Sequence, residues 1–227
     1  PILAGNIGTV ASSVAPKMTE EEILILEVSS FQLMGIETFR PHISIWTNLY
    51  DAHLDYHGSR EQYRQAKARI TENQSENDYF IYKAELVAIA KDTKATSIPF
   101  SLQGKKEEGI SADDTYLYWQ GEPLVERATI LLPGQHNLEN IAAATAAALL
   151  LNCEEEAIHH VLSSFTGVKH RMQFVREWQG IQFYNDSKAT NTLATKSALS
   201  SFKRPIHLIA GGLDRQHSFE TLRPHMT

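Results

Sequence analysis

Ile23-Leu24-Ile25-Leu26-Glu27-Val28 and Ile43-Ser44-Ile45-Trp46-Thr47-Asn48 decide the fold. Each is a short, nearly continuous apolar run, the pattern of a strand buried on both faces of a parallel sheet. After the second run, residues 59–73 change period: Tyr63, Ala66, Lys67 and Ile70 stand at i, i+3, i+4 and i+7, one stripe of a helix. Further strands are expected at 79–82 and 96–101, with a helix at 84–90 between them. Strands alternating with helices define an α/β chain with a mostly parallel sheet flanked by helices.

Farther along, residues 103–114 are rich in Gly, Lys, Glu and Asp and read as a solvated excursion. Residues 116–119 and 128–132 read as short antiparallel strands. Pro133-Gly134 breaks the chain before a helix at 138–152, with Asn137 as its expected N-cap. A second helix is expected at 154–165, and Gly167 marks a hinge. Beyond it the pattern restarts: strands at 173–177 and 181–184, a helix at 190–202, and an apolar strand at 206–210 ending in Gly211-Gly212. This reads as a βαβ unit opening a second α/β domain near His170. Pro1-Ile2-Leu3-Ala4 reads as the end of a strand, and both ends of the chain read as cut.

Composition limits the partners. Across 227 residues, 21 Lys and Arg stand against 27 Asp and Glu, a net charge of -6, so no basic excess exists to neutralise nucleic-acid phosphates. Apolar residues at 42% and charged residues at 21% suit a chain that buries a core. Cys153 is the only cysteine, which excludes an internal disulfide and favours a reducing cytoplasm. The apolar run at 141–151 is too short to span a bilayer, so no membrane insertion is expected.

In open α/β sheets, ligands gather beyond the carboxyl ends of the strands. Glu27, Asn48, Asn185-Asp186 and Asp214-Arg215 all fall at such positions. Each alone is ordinary turn or cap chemistry; together they favour a shared cleft. Lys67 sits on the helical stripe that should face the core. It either snorkels to water along its methylene stem or is buried, with a depressed pKa and a neutral amine. A neutral amine can take up carbon dioxide as a carbamate, turning a cation into an anionic metal ligand. With His53 in Asp51-Ala52-His53-Leu54-Asp55, Glu27 and a modified Lys67 would suit a magnesium ion that keeps several waters. Neither a Gly-x-x-x-x-Gly-Lys-Ser/Thr loop nor a Gly-x-Gly-x-x-Gly fingerprint occurs among the 12 glycines.

Glu27-Val28-Ser29-Ser30-Phe31-Gln32-Leu33, residues 48–53, Gly134-Gln135-His136-Asn137 and Asn185-Asp186-Ser187-Lys188-Ala189-Thr190-Asn191 together resemble the Mur ligases. The first and last of these segments resemble the members that add D-glutamate. The resemblance implies a soluble, cytoplasmic, ATP-dependent ligase joining D-glutamate to UDP-N-acetylmuramoyl-L-alanine through an acyl phosphate, in peptidoglycan biosynthesis. It implies a monomer in the full-length form and no nucleic-acid partner. Residues 1–168 would be a central ATP-binding domain without its first strand and phosphate loop. Residues 169–227 would open a Rossmann-like domain for the amino acid. Carried over by motif, Glu27 and His53 are magnesium ligands, and carbamylated Lys67 supports a second magnesium ion. Asn6 contacts substrate beside the reacting carboxylate. Asn137, Arg171 and Asp186 contact ATP, while Lys188, Thr190 and Arg215 face substrate. Lacking the phosphate loop, the 227 residues alone are predicted to be inactive and poorly stable; the alternative is a non-catalytic nucleotide- or partner-binding module.

Overall fold

A computed structural model describes residues 1–50, 53–202, 204–213 and 218–226. It is α/β and divides into two units, Pro1–Ile98 and Pro99–Thr227. The first contains β1 (Ile2–Gly5), α1 (Ala11–Val14), β2 (Leu24–Glu27), α2 (Ser30–Met34), β3 (Ile43–Trp46), α3 (Leu54–His57), α4 (Arg60–Ala68), β4 (Tyr79–Lys83) and α5 (Val87–Ala90). β1 and β2 are parallel, in register from Ile2↔Leu24 to Gly5↔Glu27. β3 and β4 are parallel, from Ile43↔Tyr79 to Trp46↔Tyr82. β5 (Thr96–Ser101) runs across the boundary between the units.

Burial on both faces holds for β4, where Phe80, Ile81 and Tyr82 are all buried. It fails for β2: Ile25 is 51% exposed, and its register partner Leu3 is 67% exposed. Register puts these two side chains next to each other on one uncovered face of the pair. The core of this unit gathers Trp46, Phe80, Tyr82, Ile89 and Ala95, with the Phe80 and Tyr82 rings stacked at 5.3 Å. The helix expected at 59–73 is shorter. Ser59 caps it by accepting the Gln62 N–H at 3.2 Å, and after Ala68 it tightens into a 3-10 turn over Arg69–Thr71.

The second unit continues with β6 (Ile110–Ala112), β7 (Tyr116–Trp119), β8 (Glu122–Glu126), α6 (Gln135–Leu150), α7 (Glu155–Ser164), β9 (Gln173–Trp178), β10 (Ile181–Asn185) and α8 (Thr192–Leu199). Phe100 and Ser101 of β5 pair in parallel with Ile110 and Ser111, while β6, β7 and β8 are antiparallel. The excursion expected at 103–114 therefore ends in a strand, with Ile110, Ser111 and Ala112 buried. The strand expected at 128–132 lies earlier in the chain. Trp119 pairs with Glu122 across a two-residue turn, so the returning strand is Glu122–Glu126, and Arg127–Thr129 forms a 3-10 turn.

Gly134, at φ 95°, is the N-cap of α6 and starts the helix at Gln135. Asn137 thus lies inside the first turn and is not the cap; its side-chain amide donates to the Pro133 carbonyl at 2.6 Å. The alanine-rich body of α6 buries Leu138 and Ile141 together with Ala142, Ala143 and Ala146, whose small side chains allow close packing against β6. β9 and β10 form an antiparallel hairpin. No strand forms at 206–210, where Ile209 is 98% exposed, so the expected βαβ unit is absent among the described residues. Asn191 caps α8 by accepting the Ala194 N–H at 2.8 Å, so α8 starts at Thr192. Among the described residues no helix is long and apolar enough to cross a membrane.

Candidate active site

The parallel register of β1 and β2 carries Asn6 and Glu27 to the same end of the pair. The Asn6 N–H donates to the Glu27 carbonyl at 2.8 Å, and its side-chain amide makes a long bond of 3.5 Å to Glu27 Oε1. Gly5 permits this approach. It stands at φ 123°, and a Cβ there would lie 2.2 Å from the Glu27 carbonyl oxygen. The Glu27 carboxylate is exposed at the strand end. Directly after it, Ser29 closes a capping box with Gln32 and launches α2.

His53 opens α3 at φ 53°, in the left-handed region, with its side chain exposed and its ring 5.2 Å from that of Phe31 in α2. Left-handed non-glycine residues concentrate at functional sites. Lys67 lies half-buried in α4, its amine 5.2 Å above the Tyr63 ring. It lines a cavity of about 50 Å³ with Val28, Leu33, Ile45, Trp46 and Ile70. Burial pushes the Lys67 amine below its ordinary pKa. Val28, which follows Glu27 in sequence, lines the same cavity.

These donors fit a hard cation that keeps most of its waters. Glu27 supplies a carboxylate and His53 an imidazole, and a magnesium ion needs few protein ligands beside substrate phosphates. They do not make a closed metal centre: among the described residues no three His, Cys, Asp or Glu side chains are grouped to hold a metal.

In the second unit, Arg171 is exposed between His170 at φ 68° and Met172 at φ 43°. The Met172 N–H donates to Asp186 Oδ1 at 3.0 Å, and the Lys188 N–H donates to the His170 carbonyl at 3.0 Å. Arg171, Asp186 and Lys188 are thereby tied into one loop cluster. Thr190 is exposed just ahead of the α8 cap, and Asn137 is half-buried at the start of α6. Asn48 bonds locally: its side chain reaches Thr47 Oγ1 at 3.0 Å, and its carbonyl accepts from the Trp46 ring N–H at 2.7 Å. Asp51, Asp214 and Arg215 lie outside the described residues.

Two histidines gain partners that the sequence did not single out. His57, buried, stands with Nε2 3.0 Å from the Ser30 hydroxyl. His136 Nδ1 stands 3.0 Å from the Ser197 hydroxyl, joining the start of α6 to α8. Burial lowers the His136 pKa, against the nearby charges of Asp186 and Glu139, which raise it. His136 lies in Gly134-Gln135-His136-Asn137, a motif quoted above without a role for the histidine. His57 carried no local signal, because its partner lies 27 residues away.

Comparison with known proteins follows the same lines. The family described as Mur ligase middle domain matches residues 6–148. A Shouchella clausii protein named UDP-N-acetylmuramoylalanine--D-glutamate ligase is 54% identical over 226 residues, 98% of this chain and 50% of its own length. A protein of that name from Listeria monocytogenes is 52% identical, again over 98% of this chain and 50% of its own. The chain thus spans about half the length of the curated relatives it matches. Among solved structures, the MurF ligase of Thermotoga maritima in complex with ADP shares the fold at a TM-score of 0.60 and 19% identity, covering 81% of this chain and 45% of that one. With the family's middle domain matched over most of the chain, this protein belongs to the Mur ligases.

Proposed function

We propose that the intact gene product is the ATP-dependent ligase that joins D-glutamate to UDP-N-acetylmuramoyl-L-alanine in peptidoglycan biosynthesis, acting as a cytoplasmic monomer. The observation that carries this reading is the pairing of Asn6 with Glu27 at the shared end of β1 and β2, together with Lys67 half-buried in the cavity that Val28 also lines. Identity to relatives bearing that activity's name along 98% of the chain supports the choice of amino acid.

In this reading, residues 1–168 are the central ATP-binding domain and residues 169–227 open the amino-acid domain. The substrate carboxylate attacks the γ-phosphorus of ATP; the new O–P bond forms as the bond to the bridging oxygen breaks and ADP leaves. The D-glutamate amine then attacks the acyl carbon, loses a proton to solvent, and phosphate departs from the tetrahedral intermediate. Two anions must meet in the first step, so charge neutralisation dominates catalysis.

Glu27, His53 and a carbamylated Lys67 would hold magnesium, which supplies that neutralisation when bound. The neutral Lys67 amine forms the carbamate by adding to carbon dioxide and releasing one proton. Asn6 orients the reacting carboxylate. Asn137 and Arg171 hold adenine and phosphate, and Asp186 holds the ribose or the hinge. Lys188 and Thr190 face D-glutamate, and Arg215 pairs with a substrate carboxylate. Because the 227 residues carry no phosphate loop, they turn over no ATP alone and act at most as a binding module. The test is phosphate release by the intact gene product with ATP, magnesium, UDP-N-acetylmuramoyl-L-alanine and D-glutamate. Release that persists when either carbon substrate is omitted contradicts the reading.

A further inference from the structure

α3 is one turn long, and a single turn of helix does not hold itself in water, because too few hydrogen bonds offset the ordering of its backbone. Its first boundary residue, His53, is left-handed, a conformation that residues other than glycine enter at a cost. The carbonyl of His53 accepts the N–H groups of Tyr56 at 3.2 Å and His57 at 3.0 Å. His57 is therefore where the strained turn is tied to the body of the unit. Its side chain is 7% exposed, and its partner Ser30, at the start of α2, is 4% exposed.

The surroundings give this pair reach in both directions. The His57 ring lies 5.3 Å from Phe31 and 5.2 Å from Tyr63. Phe31 abuts the His53 ring, and Tyr63 lies beneath the Lys67 amine. An apolar ring at position 57 would fill the same space. A buried hydrogen bond adds direction, fixing the angle of the imidazole and so of the rings stacked around it.

We propose that Ser30 and His57 are a positioning pair. They clamp the α3 turn onto α2, holding His53 in its left-handed conformation against Phe31 and the Tyr63 ring under Lys67. Neither residue touches a reacting atom, and the metal part of the inference rests on the magnesium reading above.

The test uses the intact gene product and its Ser30→Ala, His57→Phe and His53→Ala variants, with Mn2+ as the probe. Free Mn2+ is titrated by electron paramagnetic resonance, and amide exchange is followed by NMR. In Ser30→Ala and His57→Phe the Mn2+ dissociation constant rises about five-fold, the effect of one net hydrogen bond. Exchange at Tyr56, His57 and Gly58 speeds by a similar factor, while Phe80 and Ile81 keep their protection. In a His53→Ala background, Ser30→Ala weakens Mn2+ binding no further. Unchanged exchange at the three amides overturns the clamp, as does a parallel loss of protection at Phe80 and Ile81, which marks general destabilisation. Additive effects in the double variant overturn action through His53. Mn2+ affinity unaltered by His53→Ala sinks the magnesium reading instead, and the exchange rates then decide the clamp by themselves.

Discussion

Lys67 shows how one side chain carries both a stability cost and a reactive group. Its amine has a lower pKa in the folded protein than in the unfolded chain, because burial penalises the cation. Between the two values the unfolded chain binds more protons, so this residue's contribution to stability improves as pH rises through that window. Lys67→Met keeps the stem and removes the desolvated charge. We expect its melting temperature to equal that of the unmodified protein or exceed it by up to about 3 °C, while ligase turnover falls at least about 100-fold. A melt and a phosphate-release assay on the same preparation check both halves. Glu27→Gln isolates charge from shape: Glu27 is exposed, so unfolding by urea should shift little. Its turnover should drop about 100-fold, with a raised magnesium requirement visible in the metal titration.

At the scale of elements, the anchor of β4 is Asp78, which precedes the strand and is buried. Its Oδ2 accepts from Arg40 Nε at 2.7 Å, from the Ser75 N–H at 2.7 Å and from the Ser75 hydroxyl at 3.0 Å, and Oδ1 faces His42 Nδ1 at 3.3 Å. The Arg40 guanidinium is the main reason the carboxyl is held well below the usual carboxylate range. A depressed folded pKa contributes stability that is present above the unfolded value, about 3.9, and is lost as pH falls below it. Asp78→Ala should cost about 2 kcal/mol in urea unfolding at pH 7, because it removes the buried carboxylate on which Arg40 and Ser75 converge. That penalty should shrink between about pH 4 and pH 2. The apolar runs ending at Glu27 and Trp46 and the stripe carrying Lys67 were legible because local pattern alone determines them. β6 was not. Lys105-Lys106-Glu107-Glu108 make the segment look solvated, and only pairing with β5 and β7 makes Ile110-Ser111-Ala112 a strand. The Gln120-Gly121 and Gln179-Gly180 turns, with both residues at positive φ, are hairpin signals that would have placed β8 and paired β9 with β10. The Ser30–His57 bond joins positions far apart in sequence, and no local pattern encodes it.

For the whole molecule, the two groups of candidate residues fall in different units: Asn6, Glu27, His53 and Lys67 in the first, Asn137, Arg171, Asp186, Lys188 and Thr190 in the second. In the proposed function the first group neutralises charge at the transferred phosphoryl group and the second holds nucleotide and incoming amine. Residues 1–227 carry both groups but no phosphate loop, so expressed alone they should release no phosphate above background, a result read directly against the intact gene product in the same assay. In the proposed function the intact gene product accepts one amine, D-glutamate. The measurement is ATP-dependent phosphate release by the intact gene product with magnesium and bicarbonate. D-glutamate is supplied with UDP-N-acetylmuramoyl-L-alanine, and L-lysine and diaminopimelate are each supplied with their own dipeptide-stage acceptor. Turnover with D-glutamate alone is the predicted result; turnover with either other amine, or silence with all three in a folded protein, contradicts it.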